Sequence, residues 1–352
     1  MKVLHLLPTN RFSGAENVAC QIIGLFSGNP EYEMAYCSPE GPIREEVEGR
    51  NIRFIGLESF SRKQIRKAVK EFKPDVIHAH DMRATLMSAV ISANMPVVSH
   101  IHCNAKGNNK LSVRSVLYYI SSIRCKHIIW VSKSSYENYY FHRQLSLKST
   151  ILYNVIDEDV LRQRSESIDN QLCGDVVYVG RLSEEKDPIR LMKILRLVAD
   201  TLPEVKVAIV GSGEMEEQTK AECHRLGLDG NVSFTGFVPN PSGILKSSKV
   251  MVMTSVMEGT PMCILEAQAL GIPVVSTPVG GIVDVITDGE NGFLSDEDSV
   301  LAERIIDLVS SETLFEKMSS DSLEKSHKYN DIEAYRQTLD CIYKQSVSLS
   351  NQ

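Results

Sequence analysis

Residues Thr254 to Gly281 read TSVMEGTPMCILEAQALGIPVVSTPVGG: a loop, a helix, a strand and a second glycine loop in one pass. Glu258 and Glu266 stand eight positions apart. Between them Thr260-Pro261 reads as a helix start, with Thr260 as N-cap and Pro261 at the first helical position, so that Met262 follows in the first turn. Glu258 is then expected on the loop, and Glu266 about one and a half turns inside the helix. Ile264, Leu265, Ala267, Ala269 and Leu270 give the helix an apolar body, and Gly271 with Pro273 ends it before the strand Val274-Val275. The N-terminus of a buried helix carries unpaired N–H groups and about half a positive charge, which suits an anion such as a diphosphate. Two carboxylates beside an anion site suit hydroxyl groups. A sugar nucleotide offers both.

The rest of the chain supplies a frame for this loop. Its 352 residues are too many for one ordinary domain and suit two of about 150 to 180 residues, each able to bury a core. An apolar fraction of 43% and a charged fraction of 24% are those of a soluble globular protein. No apolar run reaches the 18 residues of a transmembrane helix, and Val3 to Leu7 stops at Pro8, too short for a signal peptide. The eight cysteines are scattered without C-x-x-C, which argues against a zinc site or a disulfide framework and for a reducing cytosol. Short apolar segments at 2–7, 33–37, 52–56, 75–79, 97–102 and 127–131 alternate with helical stretches, the βαβ pattern of a parallel sheet. The polar stretch Asp157 to Gly174 lacks apolar periodicity and reads as a linker. After it, strands are expected at 175–180, 205–210 and 232–236. Helices are expected at about 298–310, 312–328 and 331–348.

Several strand ends carry polar or glycine-rich sequence. Thr9 to Glu16, TNRFSGAE, follows the first strand, and Ser13-Gly14 is a candidate anion loop or an ordinary turn. PDVIHAHD (74–81) ends in His78 and His80 on one face, either a metal pair or a polar strand end. PVVSHIHC (96–103) ends in His102, and the carboxyl ends of parallel strands line ligand crevices. His100, two residues back on the same face, competes with it. Gly211-Ser212-Gly213-Glu214 is a glycine turn into a helix. Asp-x-Asp occurs at 157–159 and 296–298, both in polar contexts.

Taken together these residues resemble the retaining family-4 glycosyltransferases of GT-B fold. Glu258-Gly259, Leu265-Glu266-Ala267, Gly271-Ile272-Pro273-Val274-Val275 and Gly280-Gly281 keep the order and spacing of that family's paired-glutamate signature. Thr260-Pro261-Met262-Cys263 departs from it where many members have Phe-Gly and aliphatic residues. The resemblance implies an α/β protein of two Rossmann-like doubly wound domains facing a cleft: 1–160 for the acceptor, 161–330 for the nucleotide sugar, and a C-terminal helix in 331–352 that crosses back to the first domain. It further implies that Arg181 and Lys186, within Gly-Arg-Leu-x-x-x-Lys, reach the donor diphosphate, with Asp187 replacing the usual glycine. Gly14 would face the donor phosphates and the acceptor, Gly211 would belong to a donor-binding turn into a helix, Phe237 would lie beside the base, and Thr260, Pro261 and Met262 at the helix start. Glu266 would accept the ribose hydroxyls, and Glu258 would hold the donor sugar opposite His102. Asp288 to Phe293 is read as a structural hairpin.

The implied activity is retaining transfer of a sugar, UDP-linked on family frequency, to a saccharide or lipid-linked acceptor in cell-surface polysaccharide or glycolipid synthesis, with no cofactor and no metal. A GT-B nucleotide-sugar epimerase and a non-catalytic nucleotide-sugar-binding subunit are the alternatives. A dinucleotide dehydrogenase lacks its G-x-G-x-x-G. Charge adds a partner. Residues 1–150 hold 20 Lys or Arg against 12 Asp or Glu, whereas the remainder hold 18 against 33. Basic residues concentrate in Ser61 to Lys73 and in 101–150, the latter interleaved with Tyr118, Tyr119, Tyr136, Tyr139, Tyr140 and Phe141. That pattern predicts docking of the first domain on an anionic membrane, with the aromatics at headgroup level, hence a cytoplasmic protein peripheral to the inner face of the plasma membrane. The acidic second domain and the lack of a binding motif argue against nucleic acid.

Overall fold

Short apolar runs such as VVYV (176–179), VAIV (207–210) and VMVM (250–253) are buried at nearly every position, as in strands covered on both faces by helices. In the computed structural model, which describes residues 1–91, 95–103, 107–166 and 174–349, the chain forms two compact units. Unit 1 comprises Met1–Asn154 and Ile332–Gln352, and unit 2 comprises Val155–Asp331. Unit 1 runs β1 (Lys2–Leu6), α1 (Gly14–Leu25), β2 (Glu33–Pro39), α2 (Ile43–Glu48), β3 (Phe54–Leu57), α3 (Arg62–Phe72), β4 (Val76–His80), α4 (Asp81–Ile91), β5 (Val97–Ile101), α5 (Val113–Ile123), β6 (His127–Trp130), α6 (Lys133–Glu137) and β7 (Ser149–Ile151). Unit 2 runs α7 (Glu158–Ser165), β8 (Val176–Val179), α8 (Pro188–Thr201), β9 (Val207–Val210), α9 (Glu216–Arg225), β10 (Val232–Gly236), α10 (Ser242–Lys246), β11 (Val250–Met253), α11 (Met262–Ala269), β12 (Val274–Ser276), α12 (Ile282–Val285), β13 (Gly292–Leu294), α13 (Asp298–Ser310) and α14 (Glu312–Tyr329). The last helix, α15 (Ile332–Ser348), belongs to unit 1 and packs on β4 and β5.

Both sheets are wholly parallel. Their orders are β3-β2-β1-β4-β5-β6-β7 and β10-β9-β8-β11-β12-β13. Each order reverses direction once, between β1 and β4 and between β8 and β11, and ligands of open parallel sheets bind outside the strand carboxyl ends at such a reversal. In unit 1 the helices α3, α4 and α5 lie side by side on one face, over a core that includes Leu4, Leu6, Phe72, Ile77, Val97, Tyr118 and Trp130. In unit 2 one core gathers α8 and α13 on the sheet, and a second gathers α10, α11 and α12 on its other face. Among the described residues no helix is long and apolar enough to cross a membrane.

Four sequence expectations change. The segment after Asp157, read as linker, begins with α7, whose first turn is capped by the Asp157 carboxylate accepting the Val160 N–H at 3.0 Å. Two buried positions, Leu161 and Ser165, suffice to seat this short helix, too few to show as periodicity, and residues 167–173 lie outside the described residues. Asp288 to Phe293 is not a hairpin. It is a turn closed by Asn291 and Asp288 side chains, and it feeds β13, which pairs in parallel with β12. Helix α11 starts one residue late, with Pro261 (ψ 124°) as N-cap and no side-chain cap, because Pro261 stays extended after its fixed φ. The aromatics of 101–150 mostly enter the core: Tyr118 and Tyr139 are buried, Tyr119, Tyr136 and Phe141 pack against them, and only Tyr140 is exposed.

Candidate functional site

At the reversal point of unit 2, the turn after β8 and the loop after β11 are joined side by side. Thr254 Oγ1 donates to the carbonyls of Lys186 and Asp187, both at 3.0 Å, and the Val256 N–H donates to Glu185 O at 2.9 Å. Ser255 O in turn accepts from Thr277 Oγ1 at 2.6 Å, and the Gly281 N–H donates to Gly259 O at 2.7 Å, which ties the glycine loop after β12 to the same place. Gly280 has φ +59°, and a Cβ there would sit 2.0 Å from Glu258 O, so only glycine allows this approach. The β9 end closes as tightly, since a Cβ on Gly211 (φ +134°) would fall 2.0 Å from Gly180 O.

Glu258 is buried at the centre of this arrangement. Its Oε1 pairs with Lys186 Nζ and accepts from Ser255 Oγ at 2.6 Å, so Oε2 carries neither contact. Burial alone would depress the Lys186 ammonium, but the Glu258 carboxylate more than offsets it and holds the amine above its usual range. Cys263 is pushed up to about 12, chiefly by burial, and stays a neutral thiol. Arg181 is exposed; among the described residues its side chain makes no ion pair or hydrogen bond, while its carbonyl accepts from Tyr178 OH at 3.0 Å. Phe237 is exposed just beyond β10. In α11 the N–H groups of Ile264 and Leu265 return to Pro261 O, which leaves those of Met262 and Cys263 without an intrahelical acceptor. Glu266 lies one turn further along, half-buried.

Asp187 takes the left-handed conformation, φ +45°, which explains why glycine suits this turn. Here the carboxylate offsets the strain by accepting the Arg190 N–H at 3.1 Å, capping α8. The two Asp-x-Asp segments are structural: Asp157 caps α7, and Asp298 pairs with Arg190 at 2.6 Å.

In unit 1 the reversal point is rich in histidine. His5, His78, His80 and His100 are fully buried, and His102 follows β5 with partial exposure. One hydrogen-bond chain links His5 Nδ1 to His80 Nε2 (3.0 Å) and His80 Nδ1 to His102 Nε2 (2.8 Å). A second links Tyr343 OH of α15 to His78 Nδ1 (2.7 Å) and His78 Nε2 to His100 Nδ1 (3.1 Å). His80, expected as a polar strand end open to ligand, is instead enclosed by these neighbours. His102 Nδ1 is buried with no hydrogen-bond partner among the described residues, and its backbone N–H donates to Asp81 Oδ1 at 3.1 Å. Burial lowers His102 to about 4 and raises Asp81 to about 6. Ring nitrogens of His5, His78 and His80, and of His80, His100 and His102, lie within 4.8 Å of one another, close enough to ligate a metal, though here they bond each other and Tyr343. Beside them Glu16, buried in the first turn of α1, accepts from Thr9 Oγ1 and Ser13 Oγ. A Cβ on Gly14 would meet nothing within 4 Å, so the α1 start is open. Ser255, Thr277, Tyr343 and His5 were not singled out by sequence; the first two had one signal, their place beside Glu258 and at the end of the Val-Val strand.

Residues 14–160 match the model for Glycosyltransferase Family 4, and residues 163–325 match that for Glycosyl transferases group 1. An uncharacterized glycosyltransferase of Haemophilus influenzae is 25% identical over 276 residues, 76% of each chain. The UDP-Gal:alpha-D-GlcNAc-diphosphoundecaprenol alpha-1,3-galactosyltransferase of Escherichia coli is 23% identical over 84% of each chain. The crystal structure of Anabaena Alr3699/HepE in complex with UDP and glucose has a TM-score of 0.85 at 21% identity and covers all of both chains. Two adjoining matches that span most of the sequence, over two parallel-sheet units of GT-B type, establish that the chain belongs to the family-4 glycosyltransferases.

Proposed function

We propose that this glycosyltransferase moves a sugar from a UDP-sugar to a saccharide or lipid-linked acceptor with retention of configuration and without a divalent metal, in the synthesis of a cell-surface polysaccharide or glycolipid. The observation that carries the reading is the Lys186–Glu258 pair beside Arg181, whose side chain is unpartnered among the described residues, at the reversal point of unit 2. The leaving diphosphate gains charge as the glycosidic bond breaks, and two cations with the α11 start can stabilise it there. Glu258 holds the donor-sugar hydroxyls through Oε2, and Glu266 accepts those of the ribose. The exposed Phe237 flanks the base, and Gly211 lets backbone approach the phosphates. The acceptor hydroxyl attacks from the face the diphosphate leaves, and the departing phosphate oxygen takes its proton, so neither glutamate acts as nucleophile. On unit 1, His102, with its unpartnered Nδ1, and the open Gly14 turn serve the acceptor. UDP is supported by the similarity to the E. coli UDP-Gal galactosyltransferase and to the Anabaena structure in complex with UDP and glucose. The excess of Lys and Arg in residues 1–150, 20 against 12 Asp or Glu, supports a location on the inner face of the plasma membrane.

Incubation with radiolabelled UDP-sugars, a panel of saccharide and lipid-linked acceptors and excess chelator tests this. Transfer with an unchanged anomeric configuration is expected. An inverted product, turnover restored only by magnesium or manganese, or epimerised sugar nucleotide without transfer would overturn it. In calorimetric titration, Glu266→Ala should weaken UDP binding by about 1.5 to 3 kcal/mol, and Glu258→Ala should chiefly lower turnover. Unchanged UDP affinity in Glu266→Ala would remove the ribose assignment.

A further inference from the structure

Helix α5 is built inside out. Its buried positions are Ser115, Tyr118, Ser121 and Ser122, whereas Val113, Leu117, Ile120 and Ile123 are 45% to 78% exposed. Spaced by three or four residues, these four form one outward aliphatic stripe. The inward serines are satisfied without it. Ser121 and Ser122 donate to backbone carbonyls of their own helix, at 2.9 and 2.8 Å, and Ser115 completes a capping box with Ser112. The arrangement is therefore a finished helix of 11 residues, about 16 Å long, with its apolar side turned out. Fully exposed Leu147 extends the stripe at the helix end, where Lys148 Nζ donates to Ser122 O at 2.6 Å.

Charge identifies what covers it. Exposed Lys110, Arg114 and Arg124 lie within or next to the helix in sequence, Arg124 also donating to Ala89 O of α4 at 2.9 Å, and the sequence contains no Asp or Glu between Asp81 and Glu137. On the same face of the sheet, beyond α4, helix α3 exposes Arg62, Lys63, Arg66, Lys67 and Lys70, and among the described residues none of these has an ion-pair partner. A second copy of the chain seated symmetrically on α5 would bring like charges together. An anionic bilayer complements them. We propose that α5 lies in the headgroup region of an anionic membrane, with Val113, Leu117, Ile120 and Ile123 inserted and the basic residues of α5 and α3 at the phosphates. This rests on the membrane reading above, not on the transfer chemistry, and it replaces the expected aromatics with aliphatic anchors.

Co-sedimentation of the full chain with phosphatidylcholine vesicles, with and without phosphatidylglycerol, is the test. Binding should require phosphatidylglycerol and fall with salt. Leu117→Glu/Ile120→Glu should bind at least about tenfold more weakly, and so should the uncharged Leu117→Ser/Ile120→Ser, which separates lost insertion from added repulsion. Circular dichroism and melting should match the parent, since both positions face water. Parent and variants binding alike would overturn the α5 assignment and leave the membrane reading standing. No binding by the parent at low salt would overturn both, while UDP titration still reports on the transfer reading. A parent dimer by light scattering that becomes monomeric in Leu117→Glu/Ile120→Glu would make α5 a self-association face instead and overturn the proposal.

Discussion

At the scale of residues, the Lys186–Glu258 pair, with Ser255 on the same carboxylate oxygen, holds the candidate site together. Removing one partner of an enclosed ion pair strands the other charge, whereas removing both is far cheaper. Lys186→Ala is therefore expected to lose about 2 to 3 kcal/mol, less than for a fully enclosed pair because the Lys186 side chain keeps 20% of its surface in water. The double variant Lys186→Met/Glu258→Gln should regain most of that stability and none of the turnover. Urea titration of the parent, the single and the double variant, with turnover measured on each, decides it. Equal stability of Lys186→Ala and the parent would mean that the pair does not hold the loop.

At the scale of elements, the turn from β8 into α8 balances strain against capping. Left-handed backbone at a non-glycine residue costs about 1 to 2 kcal/mol, and loss of an N-cap costs about the same. Asp187→Gly should then leave stability within about 0.5 kcal/mol, because it gives up the cap and the strain together. Asp187→Ala keeps the strain without the cap and should lose about 1 to 2 kcal/mol. Thermal unfolding of the two variants gives the comparison, and an alanine variant as stable as the glycine one would contradict it. Because Thr254 bonds the carbonyls of both Lys186 and Asp187, the alanine variant should also weaken UDP binding.

At the scale of the whole molecule, the histidine layer makes stability depend on pH. Burial lowers His5 to about 3 and His102 to about 4, and depresses His78, His80 and His100 as well. Below the ordinary value of 6.5 the unfolded chain takes up protons that these folded rings refuse, so stability falls as pH drops from 6.5 towards 4. Each such ring contributes about 1.4 kcal/mol per pH unit across its window. Asp81 works the other way, since its folded carboxyl, raised to about 6, holds a proton that the unfolded chain has released above 3.8. One carboxyl against five imidazoles leaves acid destabilisation as the net result. Melting curves at about pH 7.5 and pH 5, with hydrogen exchange followed in β4 and β5, should show the loss centred there. A flat melting temperature with unchanged exchange would refute it.

Sequence by itself determined the fold class, the strands other than β7, β11 and β13, and the stretch in which the candidate site of unit 2 lies. These follow from local signals: short apolar runs, glycines where backbones meet, and the spacing of Glu258 and Glu266. The helices at 298–310, 312–329 and 332–348 were legible almost to the residue, because each carries an uninterrupted apolar period or a capping serine. Tertiary structure alone decided three matters. Glu258 and Lys186, 72 positions apart, meet only because β8 and β11 are neighbours in the sheet. Five histidines from β1, β4 and the β5 end form one layer because parallel register aligns His5 with His78 and His80 with His100. The direction in which α5 faces is decided by Tyr118, which bonds Ser99 at 3.0 Å and draws the serine side of the helix inward, so an amphipathic pattern that names an apolar face cannot say whether that face meets the core or the surroundings.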